Sequence, residues 1–357
     1  MSRFFSERHA SLVPYTPGEQ PQIPIVAKLN TNESPYPPSE GVARAIIGQI
    51  GKLQRYNDPA CAALRAAAAK VYDVAPENLM AVNGSDEALF FAFLAFCDEK
   101  RPLAFPDITY GFYPVYADLL HIPARAVPLR KDFTIDPADY GGPGENVVLA
   151  NPNAPTGLYL PLDGIRRLLE TRPDSVVIVD EAYIDFGGKS CVPLIKEYDN
   201  LLVVQTFSKA RSMAGARLGF AIGDAALIRD LETVRFASNP YNVNRMTQAA
   251  GIAAFEENDY YMQNCRRIME TREFTAGMLR EMGFEVLPSL TNFLLARTDA
   301  VRGRELYRSL RNRGILVRWF DQPRIADYIR VSIGSREEME LFLQGVRDIL
   351  RERSESK

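Results

Sequence analysis

The sequence predicts an α/β fold: a large domain built on a mostly parallel sheet sandwiched by helices, plus a small α+β domain. Three observations lead there. At 357 residues the chain exceeds what a single ordinary core holds, which favours one large domain and a smaller one. From residue 79 to residue 205, short apolar runs alternate with helical stretches, the pattern of strands joined by crossover helices. Composition, with 46% apolar and 24% charged residues, is that of a globular protein rather than a disordered or fibrous one.

Each element has its own signal. The first forty residues carry Pro14, Pro17, Pro21, Pro24, Pro35, Pro37 and Pro38, which exclude a long helix and predict an extended arm lying over the rest. Residues 40–54 and 60–72 have helical apolar spacing, with Asp58-Pro59 marking the start of the second. Strands are expected at 79–83, 102–105, 124–128, 147–150, 176–179 and 202–205, and helices at 85–96, 110–120 and 161–170. Residues 224–236 and 244–282 read as long helices, the second broken or bent. The tail changes style, with strands at 291–296, 315–318 and 328–332 and helices at 302–313 and 335–352. The expected division is 1–40 as arm and part of the small domain, 41–270 as large domain and 271–357 as small domain. No repeat or Gly/Ser linker separates them.

Several function classes are disfavoured. A net charge of −3 argues against a nucleic-acid or anionic-membrane surface, since both call for a basic excess. The longest apolar run, 88–96, is half of the roughly 20 residues a bilayer span needs. The amino terminus lacks a signal-peptide core, so a cytoplasmic protein is expected. Cys61, Cys97, Cys191 and Cys265 form no CxxC pair and read as buried thiols. His9 and His121 are the only histidines and have no metal spacing, so no metal is expected. Lysine, arginine, aspartate and tyrosine are left to carry the chemistry.

Ligand sites of open α/β sheets lie at the carboxyl ends of strands, so the residues after each strand matter most. Asp180-Glu181-Ala182-Tyr183 follows one strand, and Thr206-Phe207-Ser208-Lys209 follows the next, with Arg217 eight residues on. Gly84-Ser85-Asp86 opens a helix after a third, and Asn151-Pro-Asn153-Ala154-Pro-Thr-Gly157 follows a fourth. Taken singly these are an N-cap, a solvated loop and two turns. Together they supply what pyridoxal 5'-phosphate requires: a lysine amine for a Schiff base, an acid for the pyridine nitrogen and a phosphate cradle. In that reading Lys209 is the amine and Asp180 the acid. Gly84, Ser85, Asp86, Thr206, Ser208 and Arg217 form the cradle, while Tyr183 bonds the phenolic oxygen and Tyr110 stacks on the ring.

The chain resembles the fold-type I pyridoxal-phosphate aminotransferases (class II), and within them the histidinol-phosphate aminotransferase subfamily. The likeness runs through P-Y-T-P-G-E-Q at 14–20, L-N-T-N-E-S-P-Y at 29–36, R-Y-N-D-P at 55–59, G-S-D-E-A-L at 84–89, D-E-A-Y-I-D-F at 180–186 and T-F-S-K-A at 206–210. A-G-A-R-L-G-F at 214–220, P-Y-N-V-N at 240–244, G-I-L-V-R at 314–318 and Y-I-R-V-S-I-G at 328–334 complete it. The resemblance implies a seven-stranded large-domain sheet and transamination between L-histidinol phosphate and 2-oxoglutarate. It implies Lys209 as proton shuttle, Arg330 as the fork on the substrate α-carboxylate, and a homodimer in which Tyr56 reaches across to the partner's cofactor phosphate. Tyr15, Asn32 and Arg318 are further substrate-binding candidates, Arg318 for a substrate phosphate. Two departures stand out: Ala154 replaces the family's asparagine before Pro-Thr-Gly, leaving Asn153 as a candidate substitute, and Arg211-Ser212-Met213 replaces a small or aromatic run. A broad-range aromatic aminotransferase and a threonine-phosphate decarboxylase stay open as alternatives. An effector-sensing regulator domain lacks its DNA-binding extension, and a dinucleotide oxidoreductase lacks G-x-G-x-x-G.

Overall fold

The alternation of strands and helices closes into a seven-stranded sheet in a computed structural model that describes residues 2–21, 24–142 and 144–355. Met1, Gln22 and Ile23, which fall within the expected arm, lie outside the described residues. The elements of the first part are β1 (Ala27–Lys28), α1 (Glu40–Ile47), α2 (Ala62–Tyr72), β2 (Leu79–Val82), α3 (Ser85–Phe96), β3 (Leu103–Pro106), α4 (Phe112–Leu120), β4 (Ala124–Val127) and β5 (Asn146–Ala150). They continue with α5 (Leu162–Glu170), β6 (Val177–Asp180), β7 (Leu201–Thr206), β8 (Gly219–Gly223), α6 (Ala225–Ser238), α7 (Arg245–Glu256) and α8 (Asn258–Glu281). The tail holds β9 (Glu285–Val286), β10 (Phe293–Arg297), α9 (Gly303–Asn312), β11 (Ile315–Leu316), β12 (Arg318–Trp319), β13 (Ile329–Ser332) and α10 (Arg336–Glu355).

The large sheet runs β2-β8-β7-β6-β5-β3-β4, and only the pairings of β8 with β2 and β7 are antiparallel. Its central strands are apolar because both faces are covered. Val177 and Val179 of β6 and Leu201 and Val203 of β7 pack into one hydrophobic cluster, while Ile178, Leu202 and Val204 pack into the cluster on the other face. Alternate residues thus feed two cores, and each fully buried side chain contributes roughly 1.5–3 kcal/mol. The smaller sheet, β12-β13-β10-β9, has its own cluster beneath α8, α9 and α10. β1 pairs in parallel with β11, fastening the end of the arm beside that smaller sheet.

The 244–282 stretch is broken, as the sequence reading expects: it divides at Glu257 into α7, capped by the Asn244 side chain on Thr247 N (3.0 Å), and α8. Two local outcomes differ from that reading. Residues 315–318 form two separate two-residue strands rather than one. β8 was not anticipated, because Gly219-Phe-Ala-Ile-Gly223 reads as the tail of a motif.

Gly219 explains why that strand begins with glycine. A Cβ there would lie 2.7 Å from the Gln205 carbonyl oxygen and 2.9 Å from Ser85 N. The start of α3 therefore rests directly on β8 backbone. Gly219→Ala is expected to destabilise the protein by about 1–3 kcal/mol, as overpacking does, read as a lower denaturant midpoint at unchanged m-value. A midpoint equal to the parent's would mean that α3 does not need this approach.

Candidate active site

The carboxyl ends of the parallel strands open onto a cavity of about 260 Å³ lined by Ala150, Asp180, Thr206, Ser208, Lys209 and Arg217, with Ser85 and Asp86 at the start of α3. Topology alone brings them together, since β5, β6 and β7 are neighbours in one parallel register. Asp180, the last residue of β6, is 4% exposed. Burial pushes its carboxyl up to about 7, opposed by hydrogen bonds from Tyr113 Oη (3.1 Å) and Ala182 N (3.1 Å). Lys209 Nζ donates to the Thr31 carbonyl (3.0 Å) and sits 5.9 Å from the Tyr183 ring centre. Its burial, helped by the Arg330 charge, brings the amine down to about 8, so a usable fraction is neutral at physiological pH.

An anion cradle stands at one end of the cavity. Gly84 has φ +83°, and a Cβ there would collide with the Arg217 guanidinium, so the turn before α3 requires glycine on two counts. Arg217 donates to Ser208 Oγ (3.2 Å) and pairs with Asp86 (3.2 Å), while Thr206 Oγ1 donates to Ser208 Oγ (3.0 Å). Asp86 also accepts from Tyr110 Oη (2.8 Å), so its carboxylate orients the cradle's arginine and the tyrosine. The sequence reading places Asp86 in the cradle without this orienting role for its carboxylate.

The arm supplies the opposite wall; Asn32, Arg330 and Tyr15 do not line the cavity but neighbour the lining residues Tyr183, Lys209 and Tyr110. Pro17, Gly18 and Gln20 line the cavity, which places the arm over the site as expected. Asn32 is buried and donates through Nδ2 to Tyr183 Oη (2.9 Å), leaving that hydroxyl's own proton to donate onward. Arg330 donates to the Asn30 carbonyl (3.1 Å) between the Phe293 and Phe320 rings, and its buried Nε has no partner. Tyr15 stacks on Phe112 at 4.2 Å and lies 6.2 Å from Tyr110.

Three candidates stand elsewhere. Asn153 is a correction: its amide is committed to Thr109 Oγ1 (2.9 Å), the Ile108 carbonyl (3.0 Å) and Thr156 Oγ1 (3.0 Å), and its neighbour Ala154 lines the cavity instead. Arg318 does not line the cavity; its guanidinium holds the arm through the Pro17 (3.3 Å) and Thr16 (3.2 Å) carbonyls. Tyr56 is 79% exposed and stacks on Tyr241 at 4.5 Å, away from the cavity of its own chain.

Sequence reasoning missed other members of the site. Thr31 and Glu33 line the cavity, and Thr31 Oγ1 donates to Glu33 (2.6 Å), which also pairs with Lys28. Tyr113 was hidden in an apolar helix, where nothing marked it as the partner of a buried acid. The Arg211 departure is structural: its guanidinium lies among the Phe207, Phe255 and Tyr261 rings and donates to Asn258 (2.9 Å). All four cysteines are buried and unpaired. Among the described residues no group of histidine, cysteine and acidic side chains is placed to hold a metal, and no helix is long and apolar enough to cross a membrane.

With that geometry in hand, the comparisons are informative. Residues 24–346 match the family model described as aminotransferase class I and II. The chain belongs to that family. Two of its curated relatives carry the name histidinol-phosphate aminotransferase 1. One, from Hydrogenovibrio crunogenus, is 46% identical over 98% of this chain and 99% of its own length. The other, from Bradyrhizobium diazoefficiens, is 47% identical over 98% of this chain and 100% of its own. Among solved structures, histidinol-phosphate aminotransferase from Sinorhizobium meliloti in complex with pyridoxal-5'-phosphate superposes with a TM-score of 0.84 at 25% identity, covering 92% of each chain. Within the family, then, the chain falls with the histidinol-phosphate aminotransferases, which it matches from end to end.

Because the Tyr113 bond favours ionised Asp180, Tyr113→Phe is expected to move the Asp180 midpoint above about 7. Carboxyl NMR across a pH titration reads it directly. A midpoint left in place or lowered would remove Tyr113 from the control of this acid.

Proposed function

We propose that the chain is a pyridoxal 5'-phosphate-dependent transaminase that converts L-histidinol phosphate and 2-oxoglutarate to imidazole acetol phosphate and L-glutamate, a step of histidine biosynthesis. The observation that carries this reading is the convergence on one small cavity of a lysine amine brought down to about 8, a dry carboxyl and a group of polar side chains suited to an anion. The printed name of the relatives supports the choice of substrate.

The residues present fit the cofactor. A buried acid of raised pKa calls for a cationic neighbour, which a protonated pyridine nitrogen provides. The cradle of Ser85 amide, Thr206, Ser208 and Arg217 suits a phosphate dianion at a helix N-terminus. When bound, pyridoxal phosphate supplies an electron sink for negative charge at the substrate α-carbon. Lys209 Nζ, its pKa brought down to about 8, would accept the α-proton and carry it from the α-carbon to the cofactor. Asp180 would hold the ring nitrogen's proton, Tyr183 Oη would donate toward the phenolic oxygen, and Tyr110 would stack on the ring. Arg330 meets the substrate α-carboxylate; its unpartnered Nε belongs to a planar fork that suits this anion.

The working unit in this reading is a cytoplasmic homodimer with shared sites. Tyr56 is exposed beside the exposed apolar residues Ile47, Ile50 and Leu53, where a second copy would cover them and receive the tyrosine hydroxyl. The division into arm (1–40), large domain (41–270) and small domain (271–357) accords with the separate clusters under the two sheets. α8 spans the boundary, with Tyr261 in one cluster and Leu279 in the other.

Borohydride treatment of the loaded enzyme is expected to attach the cofactor irreversibly to Lys209, and Lys209→Ala to abolish turnover. Peptide mapping that placed the adduct on another lysine would overturn the assignment.

Substrate choice is tested at Arg318. Its Cα is in register with Arg330 on the adjacent strand, so both side chains project from one face of the smaller sheet toward the arm. If Arg318 exchanges the arm carbonyls for a substrate phosphate, the lost bond is worth about 1.5–3 kcal/mol. Arg318→Ala should then raise KM for histidinol phosphate by about tenfold or more, while phenylalanine transamination changes little. Equal losses on both would reduce Arg318 to an arm tether and favour a broad-range aromatic aminotransferase.

A further inference from the structure

At the opposite end of the large sheet lies a second cavity, of about 440 Å³, between the turn at Tyr140 and the end of α5. Arg172 lines it. Only 7% of this residue is exposed, yet its side chain makes no hydrogen bond and no ion pair among the described residues, and Nε is fully enclosed. The backbone around it is rigidly held: Arg172 N donates to the Leu169 carbonyl (3.2 Å), and its own carbonyl accepts from Ser175 N (3.1 Å) and Asn200 Nδ2 (2.9 Å). The neighbouring acid does not serve as partner, because Glu145 is bound in a two-point grip by Arg125 (2.9 and 2.6 Å). Arg167, also on the cavity wall, likewise makes no ion pair among the described residues, while Thr171 and Ser175 add hydroxyls and Asp174 is the single acid lining the cavity.

A buried guanidinium without a hydrogen-bond partner is costly even with the Glu145 charge nearby, and an anionic ligand would complete it. We propose that this cavity is a second ligand site, taking a small molecule that bears a phosphate or carboxylate on the Arg172 guanidinium, with Arg167 as the second cation. It is distinct from the cleft. Asn146 and Val177 start β5 and β6 beside it, whereas Ala150 and Asp180 end those strands at the cofactor cavity, about 13 Å away at ~3.3 Å per residue. A ligand here touches no residue assigned to catalysis.

The test is calorimetric titration of the cofactor-loaded enzyme, whose cofactor phosphate cradle is already filled, with inorganic phosphate and separately with acetate. The two arms distinguish a phosphate ligand from a carboxylate one. Saturable binding is expected, weakened about tenfold or more by Arg172→Met and several-fold by Arg167→Gln, while both variants retain the parent's transamination rate in anion-free buffer. The conservative Arg167→Gln keeps the test decisive if the core substitution prevents folding. Binding unchanged in these variants, or removed instead by Arg318→Ala, would overturn the proposal, as would no saturable binding at millimolar concentrations.

Discussion

Burial of the Asp180 carboxyl at the end of β6 is the constraint around which the molecule is arranged. A carboxyl reaches a pKa of about 7 only where water is kept away, and that requires helices on both faces of the sheet and a wall over the strand ends. The large sheet provides the first through its two hydrophobic clusters, and the arm provides the second. The same dryness lowers Lys209. Acid and amine are therefore drawn toward each other's titration range by one cause, and a cationic ring between them relieves the burial of the acid.

Glycine and register do the positioning. Gly219 lets the start of α3 rest on β8, and Gly84 leaves room for the Arg217 guanidinium, so the helix N-terminus and the arginine face the same space. A side chain at either position would separate them. The cradle is thus specified by two missing Cβ atoms as much as by the polar groups that surround it.

Much of this was readable from residues alone. The strand ends carrying Asp180, Thr206 and Gly84 follow from apolar runs of strand length, and the lysine and arginine follow them at short spacing. What escaped has a physical reason in each case. Asn153 sits in a tight turn closed by Gly157 N on its carbonyl (2.7 Å), which commits its side chain to that loop while Ala154 faces the cavity, and no local pattern says which. Tyr113 is one aromatic among several on α4, and only the packing of that helix against β6 selects it. β8 is a glycine-bounded run whose strand character comes from the two neighbours it joins, not from its own composition. Arg318 and the arm are about 300 residues apart in the chain, and their contact depends on the placement of β12 in the smaller sheet.

Under the proposed function, reading two substrates in one cleft would set different demands on the two arginines of β12 and β13. Every amino donor and its keto product share the α-carboxylate, so the group that meets it gains from being rigid. Arg330 is half-buried, close to two aromatic rings and bonded to the Asn30 carbonyl, which holds its orientation. The remainder of the molecule differs between L-glutamate and a phosphorylated imidazole, so the group that meets it must exchange partners. Arg318 is suited to that: it is less buried, and its guanidinium spends its hydrogen bonds on main-chain carbonyls of the arm at 3.2–3.3 Å, long for charged donors. Such bonds are readily traded for a dianion. Glu19 anchors the arm independently, accepting from Tyr307 Oη (2.7 Å) and pairing with Arg311 (2.9 Å). The arm can therefore stay docked while Arg318 changes partner, which separates the closing of the site from the reading of its substrate.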